Sequence, residues 1–396
     1  MSSFTADNPY ADSPYSDNAR TPRAIITLNG IRVKWYELSV TATTFYLADT
    51  FHFDFPLTGQ DENLTLEYFA NTENFLAQIY IGFPPDPDSY STSDLDLIIQ
   101  GNVDDLQIDL ASRRVAMSGR DLSSNFLDNK TTQKFSNQTS SQIVQMFADQ
   151  YDIKTRITPT NTLVGSYYAQ QQVMLSSEST EWDLMVFLAQ QEEFVLFMEG
   201  ETLVFEPRPD STNVNNPYVI SYVAPTDDSG SPMISAVGLT LSRSMTLAAD
   251  AQVTVRVPFG SKTGKAFNVT AKSTHRQSNN IDNAPAPSKK VQKYSYSKPG
   301  LTQEQALQFA QQRLKEITSH EVRLSATLPG DNLLKKDSLI QLTGTNTPFD
   351  QYYYSDQVTR TIQMSETGYD MQISAKNHSV DTEVTPTGGG DATESE

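Results

Sequence analysis

The chain has 396 residues, 37% of them hydrophobic and 10% aromatic, which leaves room for two or three domains that each bury a core. Its formal charge of −19 argues against general nucleic-acid binding, which depends on Lys and Arg neutralising phosphates. Zero cysteines exclude disulfides, thiolate zinc sites and cysteine nucleophiles, and they predict synthesis in a reducing cytoplasm.

The start, Met1-Ser-Ser-Phe, lacks the basic and apolar regions of a signal peptide, and no window approaches the roughly 20 apolar residues of a membrane span. Residues 1–23 are polar and Pro-punctuated without periodicity, and read as a flexible arm. From Ala24 to Pro56 the chain is strand-like, with Asn29-Gly30 as a hairpin signal. Within it, Phe51-His-Phe-Asp-Phe alternates as a strand with one buried face does. Further strands are predicted at Gln78–Phe83, Leu95–Val103 and Leu106–Met117, the last leading into a polar Gly-Arg-Asp-Leu-Ser exit. So much β-structure in so few residues indicates a barrel or sandwich.

After Asp121 the pattern changes. Thr139-Ser-Ser-Gln142 has capping-box spacing, and Ile143, Phe147 and Tyr151 follow as one helical stripe. A second helix is predicted over Thr180–Gln191, then a hairpin of Phe194–Met198 and Thr202–Glu206 around Gly200. Residues 119–206 therefore read as an α/β unit of their own. Pro207 to Pro232 is polar and Pro-interrupted, and β-signal returns at Ala251–Pro258. Strands at Ala266–Lys272 and Val291–Ser297 flank a low-complexity connection, Ser273–Ser288. The strongest helix follows: Thr302-x-x-Gln305 caps it, and Leu307, Ala310, Leu314 and Ile317 form its stripe. Strands at Val322–Leu328, Ser338–Thr343, Gln357–Ser365 and Tyr369–Lys376 close the fold, and the tail 379–396 reads as disordered.

Charge is unevenly spread. Between Arg256 and Lys298 there are nine cations (Arg256, Lys262, Lys265, Lys272, Arg276, Lys289, Lys290, Lys293 and Lys298) against one acid, Asp282, so this segment is +8 and the remainder −27. Both extremes in one chain point to assembly of a basic face on an acidic one; a solvated Lys-rich loop is the plainer alternative. Arg256, Lys262, Lys265, Lys272, Arg276, Lys289, Lys290 and Lys293 are the candidate partner-interface residues.

No catalytic or metal-binding device is expected. His52, His275, His320 and His378 are far apart and lack ligand spacing. Gly260-Ser-Lys-Thr-Gly-Lys265 has too few residues between its glycines for a phosphate loop, with Ala266 where Ser or Thr belongs, and reads as a hairpin tip. Asp94-x-Asp96 and Asp104-Asp105 are acid pairs of the kind chance supplies among 48 carboxylates. Trp182 and the aromatics of 194–205 have the spacing of a core. No cofactor is expected.

One ordered set of residues carries a resemblance. Ala48-Asp-Thr-Phe51, Gly101-x-Val-Asp104, Gly119-Arg-Asp-Leu-Ser123, Asp128 and Ala148 come first, then Trp182-Asp183, Leu188-Ala189 and Gly200-x-x-Leu203-x-Phe205. Leu239, Arg243, Thr246-Leu247, Asp250 and Val253 follow, and the Thr302 helix, Leu328-Pro-Gly330, Leu342-x-Gly344 and the closing hairpin complete it. Over about residues 24–378 this resembles the late control D family, the baseplate hub proteins of contractile phage tails, which are related to the hub part of type VI secretion spikes. The loop 273–288 and the arm depart from the family pattern.

The resemblance implies a mainly β chain with an α+β insertion: two tail-tube-like β-barrel domains plus an inserted α/β domain. Its parts are an arm (1–23), a first barrel (24–118), the insertion (119–206), a return to the first barrel and connection (207–252), a second barrel with one helix (253–378) and a tail (379–396). It implies a non-enzymatic homotrimeric ring, whose six quasi-equivalent barrels adapt a six-fold tail tube to a three-fold central spike. The implied partners are tube or tube-initiator protein, spike and other baseplate proteins, with DNA only in transit through an acidic channel. The implied location is the virion tail baseplate, after assembly in a bacterial cytoplasm. Alternatives are a receptor- or carbohydrate-binding tail protein, or the hub of a tailocin or secretion machine; a hub fused to a peptidoglycan-degrading activity would need a further catalytic block.

Overall fold

Asn29 and Gly30 both adopt positive φ (49° and 82°), the mirror-image turn whose twist matches two antiparallel strands. They join β1 (Arg23–Leu28) to β2 (Ile31–Val33), with Leu28 opposite Ile31. The structure, a computed structural model, describes residues 21–131, 135, 138–161, 180–208, 216–225, 231–243, 251–258, 266–273, 292–318, 322–347, 349–364, 368–377 and 384–386. The predicted arm therefore lies outside the described residues except at its end, where Arg23 begins β1. The fold is mainly β, and its contacts divide into two units. The first comprises residues up to Arg208 with Pro329–Lys336 and Val358–Met371; the second comprises Pro209–Leu328, Asp337–Gln357 and Gln372 onward.

In the first unit β3 (Glu37–Thr43), β4 (Thr50–Pro56), α1 (Leu66–Asn71), β5 (Leu76–Gly82), β6 (Asp96–Asp109) and β7 (Arg114–Asp121) follow in sequence. Spatially the order is β3-β4-β7-β6-β5-β1-β2. Phe51, Phe53 and Phe55 stack along one face of β4 at 6.0 Å spacing, and Phe55 meets Phe69 of α1. All four are essentially unexposed, which at about 2–3 kcal/mol each makes this row the anchor of the sheet. Asp54, between them, is buried as well, where Arg114 neutralises it.

The break expected at Asp104-Asp105 is not a turn. β6 runs straight through it, with a register shift between Val103 and Asp105 that leaves Asp104 as the extra residue of a bulge. The turn comes at Leu110–Arg113, where Asp109 Oδ1 accepts from the backbone N–H groups of Ala111 and Ser112 and Arg113 takes positive φ. Two adjacent aspartates imitate a turn signal, but the ladder absorbs them because Arg120 on the facing strand pairs with Asp104.

Among the described residues the hydrogen-bonded ladder does not run full circle, so the barrel-like sheet has a seam. β2 stops at Val33, since the next backbone N–H, on Lys34, donates to Gln60 Oε1. The two ends nevertheless share one core: Val33 and Trp35 from one side, Ile362 and Tyr369 from the other.

Between Asp121 and Arg208 the chain forms α2 (Ser124–Leu127), α3 (Ser140–Gln150), β8 (Lys154–Ile157), α4 (Glu181–Gln191), β9 (Phe194–Glu199) and β10 (Thr202–Pro207). Both longer helices begin in capping boxes: Thr139 with Gln142, and Thr180 with Asp183. The sheet order is β8-β10-β9, and the apolar faces of α3 and α4 cover it in a core of their own, including Phe126, Phe147, Trp182 and Phe205. Trp182 stacks on Phe126 and donates its indole N–H to the Tyr46 carbonyl, so it is part of the core, as its spacing predicts.

The second unit holds β11 (Tyr218–Val223), β12 (Met233–Ile234), β13 (Gly238–Arg243), β14 (Ala251–Val257), β15 (Phe267–Ser273), β16 (Gln292–Ser297) and α5 (Gln303–Thr318). It continues with β17 (Val322–Pro329), β18 (Leu339–Thr343), the first half of β19 (Tyr352–Gln363), the later part of β20 (Tyr369–Asn377) and β21 (Val384–Pro386). Segment 207–252, read as a return to the first barrel, contributes β11, β12 and β13 here. The Pro-interrupted stretch thus contains a strand that composition concealed; β11 pairs in parallel with β18, a partner about 120 residues away. Its sheet runs β12-β11-β18-β19-β20-β17-β13 among the described residues, and the segment from β12 to β13 meets both ends, Ser235 donating to the Ser221 carbonyl and Val237 to the Thr327 carbonyl. A separate sheet, β16-β14-β15-β21, packs its apolar face (Val253, Val255, Val257, Ala271) on Ala306, Ala310 and Leu314 of α5. The predicted disordered tail supplies β21, paired with β15, while its other residues lie outside the described ones.

Candidate functional site

Where β7 ends and the insertion begins, motifs scattered over the sequence converge. Asp121 is wholly buried. Its Oδ2 accepts from the Asp49 backbone N–H at 3.0 Å, and its Oδ1 accepts from the backbone N–H and hydroxyl of Ser123. Asp49 in turn accepts from Thr43 and, at 2.6 Å, from Lys336 Nζ. The Lys336 side chain is only 7% exposed, and its ammonium also sits 5.4 Å over the Phe197 ring of β9. One residue along from Asp121, Arg120 clamps Asp104 with two hydrogen bonds (2.7 and 2.8 Å) and reaches Asp128.

Lys336 arrives on a short segment held within the first unit. Asn332 donates to the Ile81 carbonyl and Asp96, buried Arg360 donates to the carbonyls of Asp331 and Leu334, and Lys335 pairs with Glu199. Gly330 is obligatory there, because a Cβ would lie 2.2 Å from the Tyr369 ring. Ala48-Asp, Gly101-x-Val-Asp104, Gly119-Arg-Asp-Leu-Ser and Asp128 are therefore one polar junction that fixes the insertion to the sheet. Lys336 carries no motif and was not legible in advance.

Burial and the nearby Asp49 charge push the Asp121 carboxyl up to about 6. The unfolded chain holds that proton only to about pH 4, so between these values the folded state binds more protons and acidification stabilises it. Lowering the pH from 7 to 4.5 therefore adds on the order of 2 kcal/mol through this group. Trp35 and Trp182 both lie in the first unit and report its unfolding by fluorescence. The gain appears as the difference between the native chain and Asp121→Asn, which lacks this titration; parallel pH profiles for the two would refute it.

The cationic candidates divide. Lys262, Lys265, Arg276, Lys289 and Lys290 lie outside the described residues, as do His275, His320, His378 and the Gly260–Lys265 tip. Arg256, Lys272 and Lys293 are all exposed, and register puts them on one face. Gln252 of β14 lies opposite both Lys272 and Lys293, and Arg256 follows two pairs along on the same side. Thr254, Thr270, Ser295, Ser297 and Asn268 complete a polar surface, the Thr254 and Thr270 hydroxyls 3.1 Å apart. The opposite face is the one α5 covers, so α5 makes this side of the sheet the outward one.

Three of the four paired acids have structural partners. Asp94 caps the turn at Ser91, Asp96 takes Asn332, and Asp104 takes Arg120. His52 stands 3.6 Å from Asp54, which already pairs with Arg114. Among the described residues there is no group of three or more His, Asp or Glu placed to hold a metal, and no helix is long and apolar enough to cross a membrane.

No protein-family model and no curated protein sequence matches the chain. Solved structures do. A tail protein from Neisseria meningitidis MC58 is similar over 91% of this chain and 99% of its own, with TM-score 0.62 and 13% identity. The 43 kDa tail protein of prophage MuSo2 from Shewanella oneidensis is similar over 89% and 95%, with TM-score 0.58 and 15% identity. The prophage tail protein gp18 from Listeria monocytogenes EGD-e is similar over 89% and 94%, with TM-score 0.55 and 11% identity. The chain has the fold of these phage tail proteins.

Proposed function

We propose that this chain is a structural hub of a contractile phage tail baseplate. Three copies form a ring that seats a six-fold tail tube on one side and a three-fold spike on the other, enclosing the passage for DNA. The observation that carries the reading is the extent of the likeness, which spans nearly the whole of this chain and of three phage tail proteins. The polar residues singled out in the sequence support it, because those described build a junction that fixes the insertion to the sheet. An adaptor needs no chemistry. It needs registered interfaces, and two units per copy make six in a trimer.

The outward face of Arg256, Lys272 and Lys293 is the surface that meets an acidic protein neighbour, and the rest of the chain carries the complementary charge. Mass photometry of the purified chain tests the reading: a species of three 44.1 kDa copies is expected, alone or on adding its spike. A persistent monomer that ignores the spike overturns it. Arg256→Glu, Lys272→Glu and Lys293→Glu together slow association at least tenfold at low salt and flatten its salt dependence, leaving the unfolding midpoint unchanged. A receptor- or carbohydrate-binding tail protein, and the hub of a tailocin or secretion machine, are the alternatives; glycan binding by the purified chain would favour the first.

A further inference from the structure

At the open seam of the first sheet, between the β2 end and residues 362–364, lies a groove of about 470 Å³. Its wall is cationic and aromatic at once. Arg23, Arg32 and Lys34 line it against a single acid, Asp88, and the Arg32 guanidinium lies 5.4 Å over the Tyr90 ring beside Trp35. Arg23 is anchored through Nε on the Pro87 carbonyl and Lys34 through Nζ on the Gly59 carbonyl, so the cations are held in place, with further N–H donors to spare. Thr21 and Pro22 form one edge, which is where the preceding twenty residues join the fold.

Those residues contain a tandem repeat: Asn8-Pro9-Tyr10-Ala11-Asp12, then Ser13-Pro14-Tyr15-Ser16-Asp17. Each unit has a proline to pre-set an extended backbone, an aromatic ring and a carboxylate, and residues 8–17 contain no basic side chain. Extended Pro-containing segments dock in aromatic-lined grooves, and Arg or Lys selects a carboxylate at a fixed offset. Unit 13–17 ends four residues before Thr21, a reach of at most roughly 14 Å. So short a tether gives a millimolar effective concentration, enough to favour even a weak contact.

We infer that one Pro-Tyr-x-Asp unit of the chain's own amino-terminal segment occupies the seam groove, its ring against Trp35 and Tyr90 and its carboxylate on Arg32 and Lys34.

The test uses full-length protein and a labelled synthetic peptide of residues 7–18, read by fluorescence anisotropy. In a chain carrying Tyr10→Ser, Asp12→Asn, Tyr15→Ser and Asp17→Asn, the vacated groove binds the peptide saturably. The unaltered chain binds it at least tenfold more weakly, because its own segment competes. Adding Arg32→Glu and Lys34→Glu, both on exposed side chains, to the four-substitution chain weakens peptide binding at least tenfold. Absence of saturable binding, equal affinity in unaltered and four-substitution chains, or indifference to the charge reversals each overturns the inference. So does competition that grows with protein concentration, which would make the occupant a second copy. None of these readouts depends on ring formation, so the inference stands or falls apart from the hub reading.

Discussion

Lys336→Met lowers the stability of the first unit by about 3–5 kcal/mol at pH 7, the cost of stranding a buried charge. The lysine is the one cation within hydrogen-bond reach of Asp49 among the described residues, and Asp121 lies directly behind it with its proton affinity already raised. Methionine fills much of the same volume, so the loss is electrostatic and not a cavity. Two consequences separate this from generic damage. The loss shrinks as the pH is lowered towards 6, because Asp121, whose proton affinity Lys336 itself holds down, takes up a proton more readily in the variant and one of the two like charges disappears. The double variant Lys336→Met, Asp49→Asn is more stable than Lys336→Met alone, since it removes the stranded carboxylate together with its partner. Urea unfolding followed by tryptophan emission reads both effects. Equal midpoints for the single and double variants would show that Lys336 acts through packing on Phe197 instead.

Gly119→Ala destabilises the same unit by about 2–4 kcal/mol, despite adding one methyl group. A Cβ at Gly119 would lie 2.1 Å from the Asn102 carbonyl oxygen and 2.6 Å from the Phe51 ring. The first contact is backbone of the adjacent strand, and the second belongs to the stacked phenylalanine row, so neither side can retreat. Gly101, its neighbour across the bulge, is equally tight against the Arg120 carbonyl. These two glycines let β6 and β7 approach closely enough for Arg120 to grip Asp104 and Asp128. Gly368→Ala is the control: the nearest atom is the Asp370 carboxylate at 3.6 Å, and stability stays within about 0.5 kcal/mol. A Gly119→Ala chain as stable as the control would mean that the strands can separate there without cost.

The sequence by itself determined the local elements, because their signals are local. Thr139 with Gln142, Thr180 with Asp183 and Thr302 with Gln305 each satisfy helix-start N–H groups within one turn, and all three helices begin where these pairs stand. The alternation of Phe51, Phe53 and Phe55 and the Asn29-Gly30 turn needed no distant partner to be read. The spacing of Arg256, Lys272 and Lys293 fixed their being strand residues, but not their sharing a face; that needed the register of β14 against both β15 and β16.

Tertiary structure alone decided the rest. Asp104-Asp105 became a bulge and not a turn because a facing Arg120 was available, and β11 formed where prolines argued against it because β18 offered an edge. The ordered motifs from Ala48 to Asp128 could be lined up along the chain, yet their meaning as one junction rests on Lys336, almost 290 residues from Asp49 in sequence. Such a pairing leaves no periodicity to detect: a buried charge needs a counter-charge at 3 Å, and a sequence does not state distances between residues that folding alone brings together.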